Sequence, residues 1–258
     1  MFEKLVWQED RMLCNGLVFR LQHYENDQWE LGDECFMFYK IKELVDEYEH
    51  FFASRDFQCR RLFELGLWDG GSLAFWYEIF KPLKIVGIDW ANRTDSSYFR
   101  RYVAERGLQD RVKTYWEVNQ SDSQRLREIV GQEFDDSLDL VLDDASHIYE
   151  PTLSSFQTLF QFIRPGGLYI IEDWAWEHWP QCHRPEWRLA KHRGLTELVV
   201  KMIQAAGTSE TLIRSVTVFY AFVAIERGTG TIPGPLKLED HITLRPKRWF
   251  MQRAPQKL

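Results

Sequence analysis

From position 60 to 226 the chain alternates short apolar runs with amphipathic stretches, and most changes of period fall on glycine, proline or an acid. The runs at 61–65, 84–89, 112–116, 138–143 and 168–171 have strand length. Between and after them, 70–80, 96–106, 122–130, 152–163 and 195–206 carry apolar residues at helical spacing. Repeated β–α units bury a parallel sheet between two layers of helices. Two further β-rich runs, 212–219 and 221–226, almost touch, which predicts a closing antiparallel hairpin. The expected fold is therefore α/β, a doubly wound, seven-stranded, mostly parallel sheet.

The segments outside this pattern read as additions. Residues 1–58 form an expected N-terminal extension, a cap or an oligomerisation element. It is irregular over 1–35 apart from a strand-like piece at 16–22, and apolar spacing predicts an amphipathic helix over 36–54. Residues 59–227 are the core, and 228–258 a C-terminal arm lying over the surface or into a neighbouring subunit; these additions suggest a homo-oligomer. At 258 residues the chain suits one domain with such segments. A net charge of −7 argues against a nucleic-acid backbone as partner. Cys14, Cys35, Cys59 and Cys182 show neither a CxxC pair nor a zinc spacing and read as thiols in a reducing compartment. No leader pattern and no run of membrane-spanning length is visible, so the expectation is a cytoplasmic protein without a membrane partner.

Two features carry chemistry. The first lies between the first strand and its helix, where Glu64 ends the strand and Gly66-Leu67-Trp68-Asp69-Gly70-Gly71-Ser72 follows. Glycines let a ligand approach the backbone, and the helix N-terminus offers free amides. The spacing is not the Gly-x-Gly-x-x-Gly of a dinucleotide site, which disfavours an NAD-dependent oxidoreductase. Asp89, ending the second strand, is placed to accept hydrogen bonds from a ribose diol.

Glu-x-Gly-x-x-x-Gly-Gly-Ser followed by Gly-Ile-Asp resembles the nucleotide-binding half of class I S-adenosylmethionine-dependent methyltransferases. That family has a Rossmann-like seven-stranded sheet ending in an antiparallel hairpin. The resemblance implies S-adenosylmethionine as cofactor, with Glu64, Gly66, Gly70, Ser72 and Asp89 at the binding positions. It places Gln120, Ser121 and Asp122, after the third strand, near the adenine.

The second feature is Asp143-Asp144-Ala145-Ser146-His147 at the end of the fourth strand, with Glu172-Asp173 at the end of the fifth. Strand ends of such a sheet hold its chemistry. Carboxylates supply hard oxygen ligands, and an imidazole moves a proton near neutral pH. Successive residues of a strand face opposite ways, so only one of Asp143 and Asp144 can point into the site. The other caps a helix or hydrogen-bonds backbone; Asp143 is carried here with the cofactor-binding set.

These two clusters resemble those of the Mg-dependent sugar O-methyltransferases of macrolide biosynthesis and the related cephalosporin hydroxylase-like proteins. The resemblance covers roughly residues 60–226. It implies Asp144, Glu172 and Asp173 as ligands of Mg²⁺ (or Mn²⁺), His147 as base, and a hydroxylated small molecule as acceptor. The chemistry is coherent: the donor is already a sulfonium, and a bound Mg²⁺ would lower the pKa of the attacking hydroxyl and fix its approach.

Other readings remain open. A methyltransferase fold could serve as a non-catalytic cofactor-binding subunit, with the 36–54 helix and basic tail as interaction surface. Trp174, Trp176, Trp179 and Trp187 form either core packing or an aromatic wall for the acceptor. His178, in the same loop, is a candidate second acid/base or substrate contact.

Overall fold

In the computed structural model, which describes residue 2, residues 5–21 and residues 34–245, the chain opens on a small sheet. Its strands are β1 (Leu5–Trp7), β2 (Arg11–Cys14), β3 (Leu17–Leu21) and β4 (Phe36–Phe38), in that spatial order. Three strands thus stand where the sequence suggested mostly irregular chain. The signal was Asn15-Gly16, which joins β2 to β3 with both residues at positive φ (50° and 81°). That is the backbone a two-residue hairpin needs to match strand twist.

The helix expected over 36–54 is also shorter. Helix α1 (Lys42–Ala53) begins after Ile41, whose backbone is extended. Phe36–Phe38 instead pairs in parallel with β3, Phe19 opposite Phe36, and all three residues are buried. Tertiary pairing overrides the helical spacing of these aromatics.

The core then follows the alternation: β5 (Arg61–Leu65), α2 (Gly71–Phe80), β6 (Lys84–Ile88), α3 (Ser97–Glu105), β7 (Val112–Tyr115), α4 (Ser123–Phe134), β8 (Leu138–Asp143), α5 (Tyr149–Leu159), β9 (Ile163–Glu172), α6 (Thr196–Thr208), β10 (Ile213–Val218) and β11 (Phe222–Arg227). The sheet order is β10-β11-β9-β8-β5-β6-β7, with β11 antiparallel to both β9 and β10 and the other pairs parallel. The winding reverses between β5 and β8, the crevice where open α/β sheets bind ligands.

Residues alternate between the two faces. Leu62, Leu140, Leu142, Leu168 and Ile170 pack with α1, α2 and the small sheet. Phe63, Leu65, Val141, Tyr169 and Ile171 pack with α4, α5 and α6. The first described part of the arm lies on this chain's own surface: Leu236 and Leu238 are buried there, and the Leu238 amide donates to Gln157. The rest of the arm, 246–258, lies outside the described residues. No helix among them is long and apolar enough to cross a membrane.

Candidate active site

A cleft of about 390 Å³ opens over the ends of β5, β6 and β8, lined among others by Gly66, Ser72, Asp89, Gln120, Asp144 and His147. The turn after β5 is shaped by close approaches. Gly66 has φ 95°, and a Cβ there would sit 2.1 Å from the Asp144 carbonyl oxygen. Gly70, at φ 85°, caps α2, and a Cβ would strike the Phe99 ring at 2.5 Å. Gly70 therefore packs the turn rather than lining the cleft.

Asp89 holds this turn from below. Its Oδ2 accepts from the Leu67 and Trp68 amides at 2.9 and 3.0 Å, and Oδ1 accepts from Ala91 at 2.8 Å. Glu64 is fully buried beneath the cleft; the Ser72 hydroxyl donates to Oε1, and Oε2 has no hydrogen-bond partner. Burial pushes its carboxyl up to about 8, against the pull of the Lys40 charge.

Two members of the adenine set lie elsewhere. Ser121 and Asp122 are exposed, and Asp122 caps α4 by accepting from the Arg125 amide at 3.0 Å. Asn119 and Gln120 line the cleft instead. The Gln120 amide oxygen accepts from the Ser146 amide, and its Nε2 donates to Asp143, so it ties the loop after β7 to the loop after β8.

Asp143 does not line the cleft either. It shares the face of Val141, so its carboxylate accepts from the Tyr169 hydroxyl at 2.6 Å and the Ser155 hydroxyl at 2.7 Å. Burial pushes it up to about 6, and these donors hold it down. The structure makes it a core residue pinning α5 to the sheet, not a cofactor contact.

Asp144, one residue on, faces the other way. Its Oδ1 lies 3.8 Å from His147 Nε2, and Asp173 Oδ2 lies 3.9 Å from the same nitrogen. Ligand atoms of Asp144, His147 and Asp173 lie within 4.8 Å of one another. Glu172 stands beside them but points to α1, where Oε1 accepts from the Tyr48 hydroxyl at 2.9 Å and Oε2 from Lys40 Nζ at 2.6 Å. Lys40 also donates to Asp144 Oδ2 at 2.7 Å. Burial and the Asp144 charge push the Glu172 carboxyl up, while Lys40 pulls it down. Burial disfavours the Lys40 charge, yet Asp144 and Glu172 more than offset it and the ammonium is held. The donor set fits a hard divalent ion: Asp144 and Glu172 already converge on one cationic nitrogen, with Asp173 adjoining.

Lys40 and Tyr48 were missed in the sequence. Both belong to the extension rather than to the end of a core strand, and the signal was a lysine directly after the apolar run Phe36–Tyr39, with Lys42 two positions on.

His147 and Asp173 both hold left-handed backbone, φ 57° and 52°. Such conformations in non-glycine residues cost energy and persist where neighbours enforce them. The Asp173 amide donates to the Ala221 carbonyl at 2.7 Å. The buried Trp176 indole donates to the His147 carbonyl at 2.8 Å. Trp176 thus braces the backbone of His147, and its neighbours in the Trp-rich loop pack: Trp174 donates to the Phe219 carbonyl and Trp179 stacks on Tyr220. From that loop only Arg188 reaches the cleft, whose aromatic lining is Phe38, Tyr39, Trp68 and Trp90. His178 is exposed and hydrogen-bonds Thr196. Trp176→Phe should keep an aromatic ring there, though a smaller one, and lose the N–H, lowering kcat roughly ten- to hundredfold with little change in acceptor KM. Steady-state kinetics with a melting curve check this; a loss of stability with unchanged kcat would show a purely structural role.

A seven-stranded sheet with a glycine turn, an acid after its second parallel strand and a cleft at the switch point defines the methyltransferase class of α/β proteins. Residues 63–174 match the model of the family described as "Methyltransferase domain". It is 32% identical over 185 residues to the 8-demethyl-8-alpha-L-rhamnosyl tetracenomycin-C 2'-O-methyltransferase of Streptomyces olivaceus, covering 69% of this chain and 43% of that protein. It is 33% identical over 140 residues to the mycinamicin VI 2''-O-methyltransferase of Micromonospora griseorubida, covering 52% and 32%. Among solved structures, MycE methyltransferase in complex with Mg, SAH and mycinamycin VI aligns with TM-score 0.54 and 26% identity over 77% of this chain and 53% of that one. The chain thus spans less than half the length of these two curated relatives.

Proposed function

We propose that this chain is an S-adenosylmethionine-dependent O-methyltransferase acting on a hydroxyl of a sugar-like or natural-product acceptor. The observation that carries the reading is the convergence of Asp144, His147 and Asp173 at the cleft rim, beside the glycine turn. The relatives' activities on sugar hydroxyls support it. Asp144, Glu172 and Asp173 would hold Mg²⁺ or Mn²⁺, which lowers the pKa of a hydroxyl beside it. Asp89 would accept from a ribose hydroxyl with the one Oδ1 lone pair that its three amide donors leave free.

In this reading His147 receives the hydroxyl proton. Its Nε2 faces two carboxylates at distances longer than a hydrogen bond, so neither blocks the nitrogen from the hydroxyl. No observation favours the non-catalytic subunit: Gly66, Ser72, Asp89, Asp144 and His147 line one cleft.

Calorimetry with S-adenosylhomocysteine, paired with a product assay on rhamnosylated acceptors, tests the proposal. Asp89→Ala should raise the Kd for S-adenosylhomocysteine at least about tenfold, or ~1.4 kcal/mol. Unchanged affinity would remove Asp89 from the cofactor site.

A further inference from the structure

Lys40 holds a place that a parallel α/β sheet does not require. It follows β4, 104 and 132 residues before the two acids it joins. Its side chain is 3% exposed, as is that of Glu172. One ammonium bridges the ends of two strands, 2.7 Å from Asp144 Oδ2 and 2.6 Å from Glu172 Oε2. Burying an ammonium costs several kcal/mol unless it is paired and hydrogen-bonded, so the carboxylates are what keep it there.

Those carboxylates are also two of the three assigned to the divalent ion. An ammonium and a divalent ion touching the same two oxygens would stand a few ångströms apart and repel strongly at low dielectric. We propose that Lys40 is the built-in cation of this site: it occupies the position between Asp144 and Glu172 that a divalent ion takes, and so sets how tightly that ion binds. The inference rests on the metal reading given above. Without metal, Lys40 keeps two buried acids gathered, so the fold does not depend on the ion. Metal loading releases Lys40 from the pair. Glu64 offers the freed ammonium an acceptor: it lies on the same face of the sheet as Leu62, and its Oε2 is buried without a partner. Tyr48 keeps its bond to Glu172 Oε1 on the other oxygen and is not displaced.

The test is calorimetric titration of MnCl₂ into the full chain as wild type, Lys40→Met and Lys40→Gln, with S-adenosylhomocysteine binding to verify the fold. Both neutral variants should bind Mn²⁺ at least tenfold more tightly than wild type. They should melt lower without metal and gain more from Mn²⁺. Equal or weaker Mn²⁺ binding by the variants overturns the inference while leaving the metal reading intact, since Lys40 would then assemble the ligands instead of competing for them. No Mn²⁺ binding by any of the three proteins overturns the metal reading and the inference with it. Should neither variant fold in metal-free buffer, recovery of folded protein on refolding with MnCl₂ supports the inference, and failure to recover overturns it.

Discussion

Replacing His147 by alanine should lower methyl transfer roughly 10²–10⁴-fold, the usual loss when a positioned base is removed, while S-adenosylhomocysteine affinity stays at the wild-type level. The separation follows from where the side chain sits. His147 lies on the cleft wall formed by the loop after β8, whereas the glycine turn and Asp89 lie after β5 and β6. The carboxylates within 4 Å of its Nε2 are those of Asp144 and Asp173, not groups of the turn that would cradle the cofactor. Losing the ring therefore removes a proton acceptor and leaves the cofactor's binding surface in place. Alanine at a position with φ 57° also strains the backbone, so His147→Asn, which tolerates that conformation better and cannot act as a base near neutral pH, is the companion variant. Both should be slow. A fast Asn variant would mean that the imidazole takes no proton, and a slow Ala variant beside it would report only a disturbed loop.

The chain's own chemistry made much of this site legible beforehand, and where it did not, the cause is physical. Residues at strand ends were visible because burial on both faces writes each parallel strand as an apolar run, so Asp89, Asp144 and Glu172 stand out as the first acids after them. Parity along the strand left Asp143 and Asp144 on opposite faces, and the structure sends Asp143 into the Tyr169–Ser155 network. Ser121 and Asp122 were misplaced for a different reason: the turn after β7 spends Asp122 as a helix cap, a local use of an acid that spacing does not separate from ligand binding. The tryptophans illustrate the ambiguity of aromatic residues, whose large area serves a core and a binding wall equally well. Trp176 is buried yet fixes a functional backbone, while the cleft takes Trp68 and Trp90 from other loops. Lys40 and Tyr48 were hidden because they reach the site across more than 100 residues of sequence, in pairs of separation 104 and 124.

Asp173→Asn should abolish turnover at ordinary Mg²⁺ concentration, and thorough chelation with EDTA should do the same to the wild type, with full recovery on adding Mn²⁺ or Mg²⁺. Asp173 is the clearest ligand to remove, because neither of the hydrogen bonds that fix Lys40 involves it. Asn keeps its size and tolerates its φ of 52°, and the amide bond to Ala221 comes from the backbone and survives the change. What is lost is one of the negative charges a hard divalent ion needs, so the expected signature is an ion affinity lowered by orders of magnitude with S-adenosylhomocysteine binding retained. Calorimetry with Mn²⁺ and a product assay over a range of Mg²⁺ separate this from a broken fold: partial rescue of the variant at high Mg²⁺ marks a weakened site. Wild-type turnover that survives exhaustive chelation would leave Asp144 and Glu172 as the ion pair of Lys40. His147 would then have to activate the hydroxyl without a metal beside it.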